Sequence, residues 1–475
     1  MNSRSIDSHY PCLIVGGGIV GAGIFRDLSL HGIPTLLIDK KDFTSQTSQA
    51  SSKMLHGGIR YLENFDFKLV FEALHEKNLW LKIAPHLCYE QRFAIPVYQD
   101  DKRPLWMIRC GLFLYDFLSS FQNTSHGIYN KEETIKHFPE IKKTKLKGSG
   151  VYSDAVVDDA KLTLEVIYDA LENPHCKAEN YLSFESVTKT KDVYYVTLKD
   201  ELSGEKLNIT CDKLIFATGP FTDNVLKKVD IFNWSPKLLP SKGSHLWIKE
   251  NSLKLDGPVV LTPADGRVIF VIPQGKKILV GTTETNVEEN LFDLTASQKD
   301  IDYLLENLKH YFPDSNIEEK DILSTFCGIR PLVKDDASST KGKTAREHKV
   351  IQPDIATYVI IGGKYTTFRV MAQDIVQEVC HAYKLPFNPN KTLSPLRRNS
   401  SRLSFKEDPI SINCVLDCLK NELPKTFEDL VKRRLGIDSR KHWPNDEEFS
   451  SFFKSIKSEL NKFIKVEDQD IENFL

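Results

Sequence analysis

Leu13 to Val15 form a short, continuous apolar run that breaks at once into Gly16-x-Gly18-x-x-Gly21. Such a run predicts a buried parallel strand. Ile24 to His31 then predicts a helix, and Thr35 to Ile38 a second buried strand that ends on Asp39. Residues 67 to 84 carry helical periodicity through Leu69, Val70, Ala73, Leu74, Leu79, Trp80 and Ile83, and Pro85 closes them. Phe93 to Tyr98 predicts a short strand, and Pro104 to Phe121 an aromatic-rich helix. Residues 184 to 213 alternate as hairpin strands around Ser203-Gly204 and lead through Leu214-Ile215-Phe216 into Ala217-Thr218-Gly219-Pro220. From Pro240 to Thr285 the pattern is mainly β, followed by a helix with Ile301, Leu304, Leu305 and Leu308 on one face. Tyr358 to Ile361 predicts a strand that breaks at Gly362-Gly363, with a helix from there to Tyr383. Residues 386 to 411, rich in Pro, Ser and Arg, read as a linker, and 412 to 475 as a small charged helical module.

The opening strand, glycine turn, helix, second strand and terminal acid are the order a dinucleotide-binding βαβ unit requires. Gly16 permits the tight turn, Gly18 admits a pyrophosphate to the backbone, and Gly21 lets the helix pack closely. Gly17 and Ile19 complete the turn, whose free N–H groups favour phosphate. Asp39 is placed to accept from a ribose hydroxyl. The turn at Gly362-Gly363, running through Lys364 to Thr366 and Thr367, repeats the same physics and predicts a second helix terminus that stabilises negative charge. Between the two lies a run of small hydroxyl residues, Thr44 to Ser52, that passes through Lys53 into Met54-Leu55-His56-Gly57-Gly58 and Arg60-Tyr61. Small side chains there suit close approach to a cofactor.

Composition narrows the partners. A chain of 475 residues allows about three domains. A formal net charge of −2 gives no sign of a nucleic-acid partner, so attraction for an anion has to come from local cations. The nine cysteines are scattered, with no Cys-x-x-Cys pair, which points to reduced thiols and to neither a disulfide framework nor a metal site. The N-terminus has no apolar signal-peptide core, and no stretch is long enough to span a membrane. Two readings of the helix from Pro104 to Phe121 stand open. It is either a core helix, or a face resting on a membrane through Trp106, Phe113, Tyr115, Phe117 and Phe121.

Taken together, several motifs resemble the FAD-dependent glycerol-3-phosphate dehydrogenases. They are the Gly16 to Gly23 loop, Ala50 to Lys53 with His56 to Glu63, Trp106 to Arg109, and Val157-Asp158-Asp159-Ala160. They continue with Ala217 to Pro220, Lys242-Gly243-Ser244-His245, Gly328-x-Arg330-Pro331-Leu332, and Gly362-Gly363-Lys364-x-Thr366-Thr367. The resemblance covers residues 11 to about 375, with a weaker echo at Phe427 to Gly436. It implies an α/β (α+β) fold, in which a Rossmann-like FAD-binding domain is interleaved with a β-rich substrate domain, as in D-amino acid oxidase. A small C-terminal α-helical cap completes it. The implied boundaries are 1–390 for the oxidoreductase domain, 391–411 for a linker and 412–475 for the cap. Within the first, the FAD part spans about 1–90, 150–236 and 350–390, and the substrate part about 91–149 and 237–349.

The resemblance also implies the reaction, oxidation of sn-glycerol 3-phosphate to dihydroxyacetone phosphate on bound FAD. Electrons then pass to a membrane quinone, from a cytoplasmic protein held peripherally on the inner face of the cell membrane, with a homodimer as a further expectation. Ser51, Ser52, His56, Gly57, Ala217, Thr218, Gly219, Gly363, Lys364, Thr366 and Thr367 join the first glycine loop and Asp39 as expected FAD contacts. Arg60, Tyr61, Arg330, Arg346 and Lys364 form the expected pocket, since a phosphate monoester needs several cations, preferably Arg. Removing a hydroxyl proton calls for a base with a pKa near neutrality, and His245 is the expected one, with Arg330 and Lys364 beside it and His56 as runner-up. Three other readings stay open: an oxygen-using oxidase that makes hydrogen peroxide, a hydroxyacid or amine oxidase of the same fold, and a catalytically inactive flavin-binding interaction protein.

Overall fold

The computed structural model describes residues 6–287, 291–292, 294–334, 348–396, 410–436 and 446–474. Among them two sheets carry the architecture. The eight-stranded sheet runs in the order Lys349–Asp354, Thr357–Ile361, Lys206–Phe216, His9–Val15, Thr35–Ile38, Lys177–Glu179, and a hairpin of Leu182–Thr190 and Val193–Asp200 extends from Lys206–Phe216. From Thr357–Ile361 through Lys177–Glu179 all neighbours are parallel. These strands are buried on both faces, which explains why each reads as an unbroken apolar run rather than an alternation. Leu13, Leu36 and Leu214 form part of the core on one face, and Ile14, Leu37 and Ile215 on the other.

Register brings the three glycine turns together. Val15 lies beside Phe216, and Phe216 beside Val359, so three adjacent parallel strands end at one level. The turns at Gly16, Ala217 and Gly362 therefore open side by side, in the crevice beyond the carboxyl ends where open α/β sheets bind ligands.

The ten-stranded second sheet is largely antiparallel. It includes Cys88–Tyr98, Leu146–Val157, Leu238–Lys249, Lys277–Gly281 and Ile322–Val333. Its helix Gln298–Tyr311 starts at a Ser297–Asp300 capping box and turns Leu304, Leu305 and Leu308 inward, the face the periodicity marks.

Several boundaries differ from expectation. The first helix spans Ile19–Leu30 and so begins five residues before Ile24. Gly21 and Gly23 lower its intrinsic propensity by about 1 kcal/mol each, but almost the whole helix is buried, and packing overrides the penalty. The strand expected at Phe93 begins at Cys88, because its solvent-side residues hide the first half of the alternation. Helix Leu105–Leu118 buries only Leu112, Tyr115 and Asp116, leaving Trp106, Phe113 and Phe117 at the surface with Phe121. Tyr115 is thus corrected from the exposed face to the core, where its hydroxyl donates to Asp154 at 2.8 Å. The start of the expected linker also packs down. Thr392 and Leu396 are buried, and Arg26 donates to the carbonyls of Thr392 and Ser394.

The C-terminal segment has its own apolar cluster, built from Val415, Leu419, Phe427, Leu430, Phe449 and Phe453 among others. Among the described residues no helix is long and apolar enough to cross a membrane.

Candidate active site

A cavity of about 390 Å³ opens between the two sheets, at the convergence of the glycine turns. Gly16, Gly18, Ile19, Asp39, Ala217, Thr218 and Gly219 line one end, and Ser51, Ser52, His56 and Tyr61 line the wall. His245, Arg330, Gly363 and Lys364 line the same cavity. Gly17, Gly21, Gly57, Thr366 and Thr367 lie behind this lining, where they shape the turns and helix starts. Arg60 stands apart. It is exposed, lies outside the lining, and donates to the Gly266 carbonyl at 2.9 Å. Arg346 lies outside the described residues.

The dinucleotide end is built from backbone. Gly16 sits at φ +111°, and a Cβ there would meet the Ala217 carbonyl oxygen at 2.5 Å, so only glycine fits between these neighbouring turns. The hydroxyl of Ser48 accepts from the Ile19 N–H at 2.9 Å and fixes the start of the helix. Asp39 accepts from the N–H groups of Gly17 at 2.7 Å and Lys41 at 3.0 Å. Burial outweighs these donors and pushes its carboxyl up to about 6. A bare glycine turn at a helix N-terminus with a carboxylate facing the same cavity fits the pyrophosphate and ribose of FAD.

The chemical end rests on the second sheet. His245 lies on Leu238–Lys249, opposite Gly281 on one side and Phe326 on the other. Gly281 has no side chain to collide with the imidazole, and Phe326 stacks against it at 4.8 Å with the planes 8° apart. His245 is 3 % exposed, with Nε2 3.0 Å from the Ser52 hydroxyl and Nδ1 without a hydrogen-bond partner among the described residues. Burial, then Arg330 and Lys53, lowers its pKa to about 3. The expectation of a base titrating near neutrality is corrected: the ring is neutral throughout the physiological range, because a buried imidazolium beside two cations is costly. Arg330 donates to the Thr282 hydroxyl at 3.1 Å and occupies space left by Gly243. The Lys364 ammonium lies 3.8 Å from the centre of the Tyr61 ring, a cation–π contact that holds two pocket groups together.

Three contributors escape residue-by-residue reading. Ser48 was visible only as one member of a hydroxyl run. Asp158 caps the helix Asp159–Ala170, whereas Asp159 accepts from Ser51 and Lys53, each at 2.6 Å, and so pins the wall beside His245. Phe292 forms part of the dinucleotide end and had no local signal, since its place depends on a distant loop.

The sequence model of the FAD dependent oxidoreductase family (DAO) matches residues 12–366. The aerobic glycerol-3-phosphate dehydrogenase of Staphylococcus haemolyticus is 34 % identical over 397 residues, covering 81 % of this chain and 70 % of the relative. The mitochondrial glycerol-3-phosphate dehydrogenase of Rattus norvegicus is 34 % identical over 404 residues, covering 81 % of this chain and 55 % of the relative. The chain thus spans little more than half the length of the mitochondrial relative. In structure it is similar to the glycerol-3-phosphate dehydrogenase from Bacillus halodurans complexed with FAD, with a TM-score of 0.66 and 25 % identity over 96 % of this chain and 80 % of that one. It shares its fold with the L-alpha-glycerophosphate oxidase from Mycoplasma pneumoniae, at a TM-score of 0.63 and 20 % identity over 82 % of this chain and 98 % of that one.

Fold, glycine cradle and family match define an FAD-dependent oxidoreductase of the D-amino acid oxidase type. Within that class the chain belongs to the glycerol-3-phosphate dehydrogenase family.

Proposed function

We propose that the protein oxidises sn-glycerol 3-phosphate to dihydroxyacetone phosphate. The observation that carries this reading is that His245, Arg330 and Lys364 line the same cavity as the glycine turns. FAD, when bound, supplies the acceptor for the hydride that leaves the alcohol carbon. The turns at Gly16 to Gly21, Ala217 to Gly219 and Gly363 to Thr367, with Asp39, Ser51, Ser52, His56 and Gly57, hold it. Arg330 and Lys364, with Tyr61, bind the phosphate, and a dianion suits their combined charge. Arg60 and Arg346 join them on the family resemblance. His245 takes the hydroxyl proton. Its pKa of about 3 reflects burial beside two cations, and a phosphate dianion offsets that charge on binding, so the base strengthens when substrate arrives.

The electron acceptor follows from the surface in this reading. Trp106, Phe113 and Phe117 recur at helical spacing on Leu105–Leu118, and Phe121 joins them with its ring 6.2 Å from Phe117 and 6.3 Å from Phe113. These four are each more than half exposed. An aromatic face of this kind suits the interfacial zone of a bilayer, where a quinone is within reach. The protein is read as peripheral on the inner face of the cell membrane. Its parts are an oxidoreductase domain over 1–390, a connection over 391–411 and a cap over 412–475.

The test is the visible spectrum of the purified protein under argon. Adding sn-glycerol 3-phosphate bleaches the flavin bands, and a soluble quinone restores them faster than air does. Rapid recovery in air with peroxide formation assigns an oxidase instead. A spectrum that bleaches with glycine or a hydroxyacid but not with the phosphate overturns the substrate, and one that never bleaches leaves a flavin-binding protein without turnover. Co-sedimentation with phospholipid vesicles reads the membrane face, and light scattering reads whether the chain is a homodimer.

A further inference from the structure

The motif Phe427 to Gly436 has no part in the cavity just described, yet its Arg433, Arg434 and Asp429 form a buried charge cluster with Asp42. Asp42 is 1 % exposed and lies three residues beyond Asp39 in the loop that follows Thr35–Ile38. Its carboxylate receives Arg433 Nε at 2.5 Å, Arg434 Nη2 at 2.8 Å, Arg434 Nη1 on the other oxygen, and Asn180 Nδ2 at 2.7 Å. Arg433 and Arg434 are themselves buried, at 3 % and 1 % exposure. Both belong to the irregular helical turn Asp429–Arg434, whose Asp429 receives Arg433 in turn and accepts the Tyr181 hydroxyl at 2.9 Å.

From Asp42 the contacts run straight into the dinucleotide turn. Thr44 N–H donates to the Gly17 carbonyl at 3.1 Å, Gly17 N–H to Asp39 at 2.7 Å, and Lys41 N–H to the other oxygen of Asp39 at 3.0 Å. The Phe43 ring fills the space beside Gly17 that a side chain there would need. On the opposite flank Asn180 donates to the Leu423 carbonyl at 3.0 Å, and Lys425 pairs with Glu179 at 3.1 Å. The segment from Asp39 to Thr44 is therefore held between the glycine turn and the C-terminal module.

We infer that Arg433 and Arg434 are positioning residues for the cofactor: they hold Asp42, and through it the Asp39 and Gly17 contacts, in the shape that receives the ADP half of FAD. The physical reason is the cost of a buried carboxylate. Burial pushes the Asp42 carboxyl up, and the Arg434 and Arg433 guanidiniums beside it, helped by Asn180, more than offset this and hold it below its ordinary value. Without them it must move toward solvent or take a proton, and either response shifts a loop tied by short hydrogen bonds to the phosphate-binding turn. Coupling of this kind is reciprocal, so bound FAD must in turn stabilise the docked module.

This inference rests on the FAD reading above, and two measurements on the full-length chain separate the two. The first titrates apoprotein with FAD by quenching of flavin fluorescence. Wild type binds; a wild type that takes up no flavin overturns the FAD reading itself. Arg434→Met raises the dissociation constant at least tenfold, and Arg434→Lys, which keeps the charge but loses the fork, falls between. Unchanged affinity in a folded Arg434→Met protein, even one with a lowered melting temperature, overturns the positioning role. The second needs no variant and so is independent of whether Arg434→Met folds. Hydrogen exchange of wild-type apoprotein slows in the peptide covering 427–436 when FAD is added, although this peptide does not line the FAD cavity. Slowing at 16–23 with none at 427–436 overturns the coupling.

Discussion

The Ser52 hydroxyl stands 3.0 Å from Nε2 of His245, so one residue of the hydroxyl-rich loop sets the ring that faces the cavity. Phe326 on one side and the bare Gly281 on the other leave that ring little freedom, and the Ser52 contact fixes its orientation. His245→Asn removes the proposed proton acceptor and is expected to lower kcat about 10²–10⁴-fold, with FAD content unchanged. Ser52→Ala leaves the imidazole in place but loosens its orientation, so the expected loss is about tenfold, a single hydrogen bond's worth. Steady-state kinetics on flavin-matched samples checks both. Equal losses in the two variants contradict the division between acceptor and positioning group.

The same ring makes the fold sensitive to acid. Burial and the nearby cations lower its pKa from an ordinary 6.5 to about 3. Between those values the unfolded chain binds a proton that the folded chain does not, so stability is full above about pH 6.5 and drains as the pH falls toward 3. His245→Gln removes this contribution. Urea titrations at pH 7 and pH 5 are expected to show a larger drop in midpoint for wild type than for the variant, and equal drops refute the assignment.

Much of the fold is legible in the sequence. The parallel strands announce themselves because burial on both faces leaves no polar positions to confuse the pattern. Three of the family motifs fall on the turns that the register of His9–Val15, Lys206–Phe216 and Thr357–Ile361 brings side by side. What stayed hidden is of two kinds. The early start of helix Ile19–Leu30 opposes local propensity and is decided by packing. The roles of Asp159, Phe292 and Arg434 depend on partners far along the chain, such as Asp159 on Lys53 and Arg434 on Asp42, which no local spacing encodes. Arg60 is a different case: its motif points to the pocket, while its guanidinium donates to the Gly266 carbonyl at the surface, a contact that no local spacing encodes.

In the proposed reading Arg330 and Lys364 divide one task, binding the substrate phosphate. Arg330 has a planar fork placed against Thr282, whereas Lys364 is a point charge resting on Tyr61. Arg330→Lys therefore retains charge but loses geometry, and KM for sn-glycerol 3-phosphate is expected to rise about tenfold or more. Lys364→Met raises KM as well, and Tyr61→Leu does so mildly by releasing the ammonium. If KM stays constant while kcat alone falls, the phosphate-binding assignment is wrong.

Gly21 offers a sharper test of the cradle. A Cβ at this position would run into the Gly16 carbonyl oxygen, a backbone atom that cannot rotate away. Gly21→Ala is expected to cost about 1–3 kcal/mol through overpacking and to lower bound flavin per chain. Gly111, inside the surface helix Leu105–Leu118, has nothing within 4 Å of its would-be Cβ, so Gly111→Ala should leave flavin content at the wild-type level and raise stability by up to about 1 kcal/mol through helix propensity. The ratio of flavin to protein absorbance after desalting, with a thermal melt, compares them.

Asp39 predicts how FAD binding depends on pH. Burial pushes its carboxyl up to about 6, against the lowering effect of the Lys41 and Gly17 N–H donors. A raised carboxyl pKa means that the folded apoprotein takes up a proton as the pH falls through 6, and the neutral acid accepts hydrogen bonds weakly. A ribose hydroxyl donates best to the ionised form, so FAD affinity is expected to be full above pH 7 and to weaken below 6. The proton released when FAD selects the carboxylate should be measurable near pH 6 by calorimetry in buffers of different ionisation enthalpy. Asp39→Asn binds FAD more weakly at pH 8 and loses this dependence. A wild-type affinity that is flat from pH 5 to 8 would show that the carboxylate is already ionised in the apoprotein across this range, or that the ribose takes another partner.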